Sequence, residues 1–281
     1  MFLRATLHQT KFLLKTKEAT LTFVVLLILV LSNFIGNVVE FQGMDVTAMY
    51  HPMKLLTLSY NKSLYDANTI ILFVQLYPIL VVFPAGFSYI KERQTREELY
   101  LTSRMGKSFY YISKLVAAFF CTMVVFVVPF LLEIVLNCIS FPLQAKGDFT
   151  GLDIYNTAYA AMVESYLMSK LYLLSPVWYS VVGILIAGVV SGMLGMFVVA
   201  FSYVFRVKYR VMLLLPVYLL LNGITYVDNM MPARASAINW QRYLLLFDDA
   251  DKNGFYIPGL VLFLLGFSLI SVFVRRKGAI Y

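Results

Sequence analysis

Residues 91–114 read KERQTREELYLTSRMGKSFYYISK, a stretch of 24 residues that carries six basic and three acidic side chains. The chain on either side, over 67–90 and 115–132, is apolar and has no charged residue. A helix rises about 1.5 Å per residue, so about 20 apolar residues cross a lipid bilayer. The stretch therefore indicates a charged loop between two membrane-spanning helices.

The composition extends this interpretation to the whole chain. Hydrophobic residues make up 60% of the 281 residues and charged residues 14%, whereas soluble domains carry about 25% charge. The strands of a membrane barrel would alternate polar and apolar residues over about 10 positions, and the apolar runs here do not. We therefore predict a single all-α transmembrane domain over 1–281. Its six spans are predicted near 19–39, 67–90, 114–136, 177–205, 211–227 and 255–274.

The Lys and Arg residues are distributed unequally between the two sides that these spans define. The side with both termini and the loop 91–113 has 16 basic and four acidic residues, and the other side has seven basic and ten acidic residues. Cytoplasmic loops carry an excess of Lys and Arg. We therefore expect both termini in the cytoplasm, and the basic net charge of +8 reflects topology and not binding to nucleic acid.

Residues 1–18 precede the first predicted span. Arg4, His8, Lys11 and Lys15 are spaced by three or four positions, so they share one face of a helix. Leucines occupy an adjoining face, which predicts an amphipathic helix that lies in the headgroup layer of the membrane. A frayed cytoplasmic tail is the alternative.

The charged loop also contains a helix-start signal. Thr95 followed by Glu98 has the spacing of a capping box, which predicts a short helix from Arg96 to about residue 102. This helix would expose Glu97 and Glu98 beside apolar residues, and Gly106 would end it. A simple connector needs only a few residues, so a defined helix favours docking into a groove on a cytoplasmic partner.

The spans themselves contain few polar groups. We find no phosphate-binding loop, no His/Cys metal cluster and no Ser-His-Asp set, so energy for any transport must come from another chain. Glu133 is predicted near the outer interface, where it either lines a pathway or reaches out to water. The other polar residues deep in the spans are Ser32, Asn33, Gln75 and Asn222.

The charged loop, together with the six spans and the amphipathic N-terminus, resembles the type-2 permease subunit of ABC transporters. The likeness covers nearly the whole chain. Arg104 departs from the family pattern, which has proline there, and Gly106 can provide the same break. The residues that match the loop pattern are Glu92-Arg93, Leu99-Tyr100-Leu101-Thr102-Ser103, Tyr110-Tyr111 and Lys114.

The resemblance implies a bacterial plasma-membrane exporter subunit without catalysis of its own. Two permease chains, identical or homologous, would pair with two ATP-binding subunits, which would hold the ATP and Mg²⁺. The cargo would be an amphipathic or apolar peptide, drug or lipid, passing the polar residues Ser32, Asn33, Gln75, Asn222 and Glu133. Residues implied in coupling to the ATPase are Arg96, Glu97, Glu98, Leu99, Tyr100, Leu101, Thr102 and Ser103.

Two other functions stay open at this point. The chain is alternatively a membrane assembly or immunity factor that binds a partner without transporting. A membrane-embedded enzyme, such as a lipid transferase or protease, would need acids, His or Ser clustered at one depth, and the sequence does not indicate such a cluster.

Overall fold

The computed structural model describes residues 2–42, 51–59, 67–143, 166–205, 207, 209–230, 239–247 and 254–278. These ranges contain helices and no regular strand, and one isolated bridge joins Ser59 to Leu246. Two short 3₁₀ helices cover Pro52–Leu55 and Arg210–Leu213. The α-helices are α1 (Phe2–Leu14), α2 (Lys17–Glu40), α3 (Ala67–Val82), α4 (Ser88–Gln94), α5 (Glu97–Met105), α6 (Lys107–Ser140), α7 (Ser169–Leu174), α8 (Pro176–Val204), α9 (Leu214–Met230), α10 (Trp240–Leu244) and α11 (Tyr256–Gly278).

Within the ranges that the structure describes, five helical segments are long and apolar enough to cross a membrane. They are α2, α6, α8, the segment Arg210–Asp228 that includes most of α9, and Tyr256–Arg276 of α11. The predicted all-α membrane character is therefore confirmed. The apolar part of α3, Ile70–Val82, is shorter than the other five, so the count of six spans stays a prediction.

The predicted span over 67–90 is not one continuous helix, because α3 ends at Val82 and α4 starts at Ser88. Pro84 explains part of this break, since proline disfavours helical geometry in the residue before it. Gly86 explains the rest, because only a residue without a side chain fits in this tight turn. A Cβ atom at Gly86 would lie 2.5 Å from the carbonyl oxygen of Val82 and 2.9 Å from Val198 on α8.

The centre of the fold is the pair α6 and α8, which pack along each other. Small residues of α8 make this approach possible: a Cβ at Gly188 would meet Val127, and one at Gly195 would meet Thr122, both on α6. Small residues at such positions let two helices approach closely. The outer faces of α2, α9 and α11 expose apolar side chains, as expected for surfaces in contact with lipid.

The N-terminal segment is a helix, as predicted. α1 packs against α6, Leu13 is buried, and Ser113 of α6 donates a hydrogen bond to Gln9. The basic stripe of α1 is exposed, and Thr16 then caps α2 by accepting a hydrogen bond from the amide of Ala19. The position of α1 in a headgroup layer stays a prediction.

Candidate functional site

The loop between α3 and α6 folds as two short helices. Thr95 ends α4, and its hydroxyl donates to the carbonyl oxygens of Lys91 and Glu92. Arg96 adopts a left-handed conformation (φ 62°), which turns the chain into α5 at Glu97. The predicted capping box is therefore wrong, because the Thr95 hydroxyl points back to α4. Gly106, with φ 80°, makes the predicted break after α5.

Glu98 is buried and faces the bundle, which corrects the expectation that α5 exposes it. Its Oε1 accepts hydrogen bonds from the hydroxyls of Tyr89 (2.9 Å) and Tyr111 (2.7 Å) and from the guanidinium of Arg275 (3.3 Å). These donors lie on α4, α6 and α11, respectively. One carboxylate thus joins α5 to three other helices.

Glu92 of α4 forms a second buried contact of the same kind. The ammonium group of Lys114 and the hydroxyl of Tyr110, both on α6, donate to its two carboxylate oxygens. Lys114 is 1% exposed and Glu92 is 7% exposed, so bulk water contributes little to stabilising the two charges. Such a pair is stable only when both partners are present and further hydrogen bonds complete it, as the Tyr110 hydroxyl does here.

Four tyrosines fill the space between these two carboxylates. The ring of Tyr203 on α8 lies 4.6 Å from that of Tyr89 and 5.0 Å from that of Tyr111, and its hydroxyl donates to the Tyr111 carbonyl. These contacts of Tyr203 join α8 to the same cluster.

The opposite face of α5 points away from the bundle. Glu97 is exposed, Leu99 and Tyr100 are 67% and 56% exposed, and the guanidinium of Arg104 lies 4.4 Å from the centre of the Tyr100 ring. Of the other predicted coupling residues, Arg96 and Ser103 are exposed, and Leu101 and Thr102 are half-buried. The helix therefore has a fixed inner side at Glu98 and an outer side with two exposed apolar residues.

A third buried carboxylate lies at the opposite end of the bundle. Oε1 of Glu133 accepts hydrogen bonds from the Asn33 amide (2.7 Å) and from the backbone amide (2.8 Å) and hydroxyl (2.7 Å) of Thr57. Asn33 and Asn37 also donate to the carbonyl of Leu55. The expectation that Glu133 reaches out to water is wrong, because its side chain is fully buried and anchors residues 51–59 on α2 and α6.

The predicted substrate-path residues do not form one cluster of contacting side chains. Asn33 and Glu133 touch each other, whereas Ser32, Gln75 and Asn222 are exposed on α2, α3 and α9. The amide of Asn222 donates to the Tyr218 carbonyl of its own helix. Whether any of these residues contacts a substrate stays a prediction.

Sequence reasoning missed the partners of the buried carboxylates. One signal was available: Tyr110 and Lys114 are four positions apart, on one helical face, where an apolar run begins. A lysine at such a position needs a buried anion. Arg275 and Thr57 offered no comparable local signal.

The described residues include no group of three His, Cys, Asp or Glu side chains that would hold a metal ion. The contacts of Glu92 and Glu98 join α4 and α5 to α6 and α11. Comparison of the chain with protein-family models, with curated proteins and with solved structures gave no match.

Proposed function

We propose that this chain is the membrane-spanning subunit of an ATP-driven exporter, and that α5 docks on a separate ATP-binding subunit. The observation that carries the proposal is the two-sided geometry of α5. Its inner side is tied to α4, α6 and α11 through Glu98, while Leu99 and Tyr100 are exposed on its outer side.

A coupling element must transmit force, and the buried contacts of α4 and α5 suit that task. Glu98 joins α5 to three helices, and Glu92 joins α4 to α6 through Lys114. Packed interiors and charge-assisted hydrogen bonds resist deformation. A push on α5 would therefore move the ends of α6 and α11 with it instead of bending the loop.

The outer side of α5 has the composition of an interface anchor. Exposed tyrosine and leucine side chains beside charged residues at the rim fit a groove on a partner protein. In this proposal the partner binds ATP and Mg²⁺, and closure of two such partners moves α5 in each of two membrane subunits. The cargo would be an amphipathic or apolar molecule.

The test replaces Leu99 with aspartate. A charge buried without a partner in an apolar groove is expected to cost about 2 kcal/mol or more, which weakens ATPase binding roughly thirtyfold. The measurement is the ATP hydrolysis that copurifies with the chain from membranes of its own cell. Ile139→Asp is the matched control, since Ile139 is also an exposed apolar residue and lies at the end of α6 far from α5.

The expected result is loss of the copurifying ATPase in Leu99→Asp and its retention in Ile139→Asp. If the two variants retain the ATPase equally, α5 is only a connector and the exporter proposal loses its support. Glu97→Lys provides a milder second test, because a reversed rim charge changes association more than folding.

A further inference from the structure

A cavity of about 70 Å³ lies where the α1–α2 turn meets the α3–α4 turn and the start of α5. A water molecule needs about 10–15 Å³ of such space, so the cavity holds several waters or the end of a small ligand. The rings of Phe12, Phe83 and Phe87 form one part of its wall, and carboxylates, among them Glu18 and Glu97, form another. The rings of Phe83 and Phe87 pack edge to face at 5.4 Å.

The charges of this wall are unequal in number. They belong to Glu18 of α2, Lys91 and Glu92 of α4 and Glu97 of α5. Glu92 is neutralised by Lys114. Within the described ranges, the carboxylates of Glu18 and Glu97 and the ammonium of Lys91 form no ion pair with a protein group. The cavity therefore offers two carboxylates and one cation to a ligand.

The cavity lies at the boundary between apolar helices and the charged loop. α2, which is long and apolar enough to cross a membrane, starts beside it, and α3 ends beside it. Each helix exposes an apolar side chain one turn away: Leu21 beyond Glu18 on α2, and Ile79 before Phe83 on α3. A ligand with a charged end and a hydrocarbon part fits this position.

We propose that this cavity binds the headgroup of a phospholipid that carries a primary ammonium group, as in phosphatidylethanolamine. The ammonium donates hydrogen bonds to the carboxylates of Glu18 and Glu97, and the faces of the phenyl rings attract the same cation. Lys91, which is exposed, contacts the phosphate. The acyl chains pack on the apolar side chains of α2 and α3.

Other occupants fit this pattern of charges less well. A trimethylammonium group, as in phosphatidylcholine, has no N–H to donate to the carboxylates. A glycerol headgroup has no cation, so its phosphate would add a like charge beside two carboxylates. A lysine of a partner protein has the ammonium group, but it has neither a phosphate for Lys91 nor a hydrocarbon part for the exposed faces of α2 and α3.

A headgroup bound here contacts α2, α4 and α5 together. The side chain of Glu98 joins α5 to α4, α6 and α11, so the lipid adds a connection from α5 to α2. This proposal concerns the chain in its membrane and does not depend on the exporter function.

The test compares two lipids that differ only in the substituents on the headgroup nitrogen. The purified chain in detergent is titrated with phosphatidylethanolamine or phosphatidylcholine of identical acyl chains, and bound lipid is counted by native mass spectrometry. One net hydrogen bond corresponds to about a two- to tenfold change in Kd. We expect the first phosphatidylethanolamine to bind at least about threefold more tightly. Equal Kd values for the two lipids would overturn the proposal.

The variants Glu18→Gln and Glu97→Gln keep the shape of the side chain and remove one charge each. Each should bring the Kd of phosphatidylethanolamine close to that of phosphatidylcholine. Glu40→Gln, the same substitution at the other end of α2, is the matched control and should keep the preference. Retention of the preference in both cavity variants, or its loss in Glu40→Gln, would contradict the site. Thermal melting verifies that each variant is folded.

A competition experiment distinguishes a membrane lipid from a soluble amine. Glycerophosphoethanolamine has the same headgroup without acyl chains, so it loses the apolar contacts with α2 and α3. We expect it to displace the lipid only at concentrations at least about a hundredfold higher. Displacement at the concentration of the lipid itself would overturn the assignment of a membrane lipid as the occupant.

Discussion

Replacing Glu133 with alanine is expected to release residues 51–59 from the helix bundle. Oε1 of Glu133 accepts from the amide and hydroxyl of Thr57 and from Asn33, and all three residues are fully buried. Asn33 has a second acceptor in the Leu55 carbonyl, and a hydroxyl can rotate. The backbone amide of Thr57 is the donor that loses most.

The size of the effect follows from these contacts. A hydrogen bond to a charged group contributes about 1.5–3 kcal/mol, and an orphaned buried donor costs about 1–3 kcal/mol. We therefore expect Glu133→Ala to lower the free energy of unfolding by about 3 kcal/mol, or the melting midpoint by about 6 °C for a chain of this size. Glu133→Gln keeps an acceptor without the charge and should lose roughly half as much.

A local measurement separates release of the segment from general destabilisation. Ser59 is fully buried, so a Ser59→Cys thiol, with Cys121 and Cys138 replaced by alanine, should resist a maleimide reagent in the parent. Addition of Glu133→Ala should make it reactive. If the thiol stays inert and the melting midpoint stays that of the parent, the Glu133 contacts do not hold this segment and the reasoning fails.

Three further changes probe other contacts by thermal melting of the purified protein. Lys114→Met leaves Glu92 buried without its cation and should lower the free energy of unfolding by about 3–5 kcal/mol. Addition of Glu92→Gln should restore much of the lost stability. If the double variant is no more stable than Lys114→Met, the two residues are not coupled. Gly195→Ala places a methyl group against the Thr122 hydroxyl of α6 and should cost about 1–3 kcal/mol. Gly223→Ala, whose methyl group meets open space, should cost nothing, and equal effects of the two substitutions would contradict the packing of α6 on α8. His51 accepts a hydrogen bond from the backbone amide of Met53. Burial of the imidazole, and to a smaller extent the charge of Lys54, lowers the pKa of His51 from 6.5 to about 4. Since the unfolded chain takes up the proton first, His51 should make stability fall as pH drops from 6.5 toward about 4 and have no effect above that window; a His51→Asn variant with the same pH profile would refute this.

The long apolar helices were predictable because their signal is local. Runs such as 19–39 contain enough apolar residues in sequence to identify a helix of bilayer length, and α2 covers Lys17–Glu40. Gly188, Gly192 and Gly195 of α8 also carry a local signal, since spacings of four and three place them on one face of the helix. The break within 67–90 has one local signal, Pro84, because the run stays apolar through the turn.

The inward direction of Glu98 was not predictable from its neighbours, and the reason is physical. The capping-box pattern considers only donors within three residues, whereas Arg275, one of the groups that bind Glu98, lies 177 residues away. Glu133 is similar, because Asn33 lies 100 residues away. A lone acid in an apolar helix is stable in the interior only if distant amides, hydroxyls or cations reach it. Each such acid therefore connects elements that are far apart in the chain. For this reason Glu98 joins α5 to helices that a local sequence pattern cannot identify.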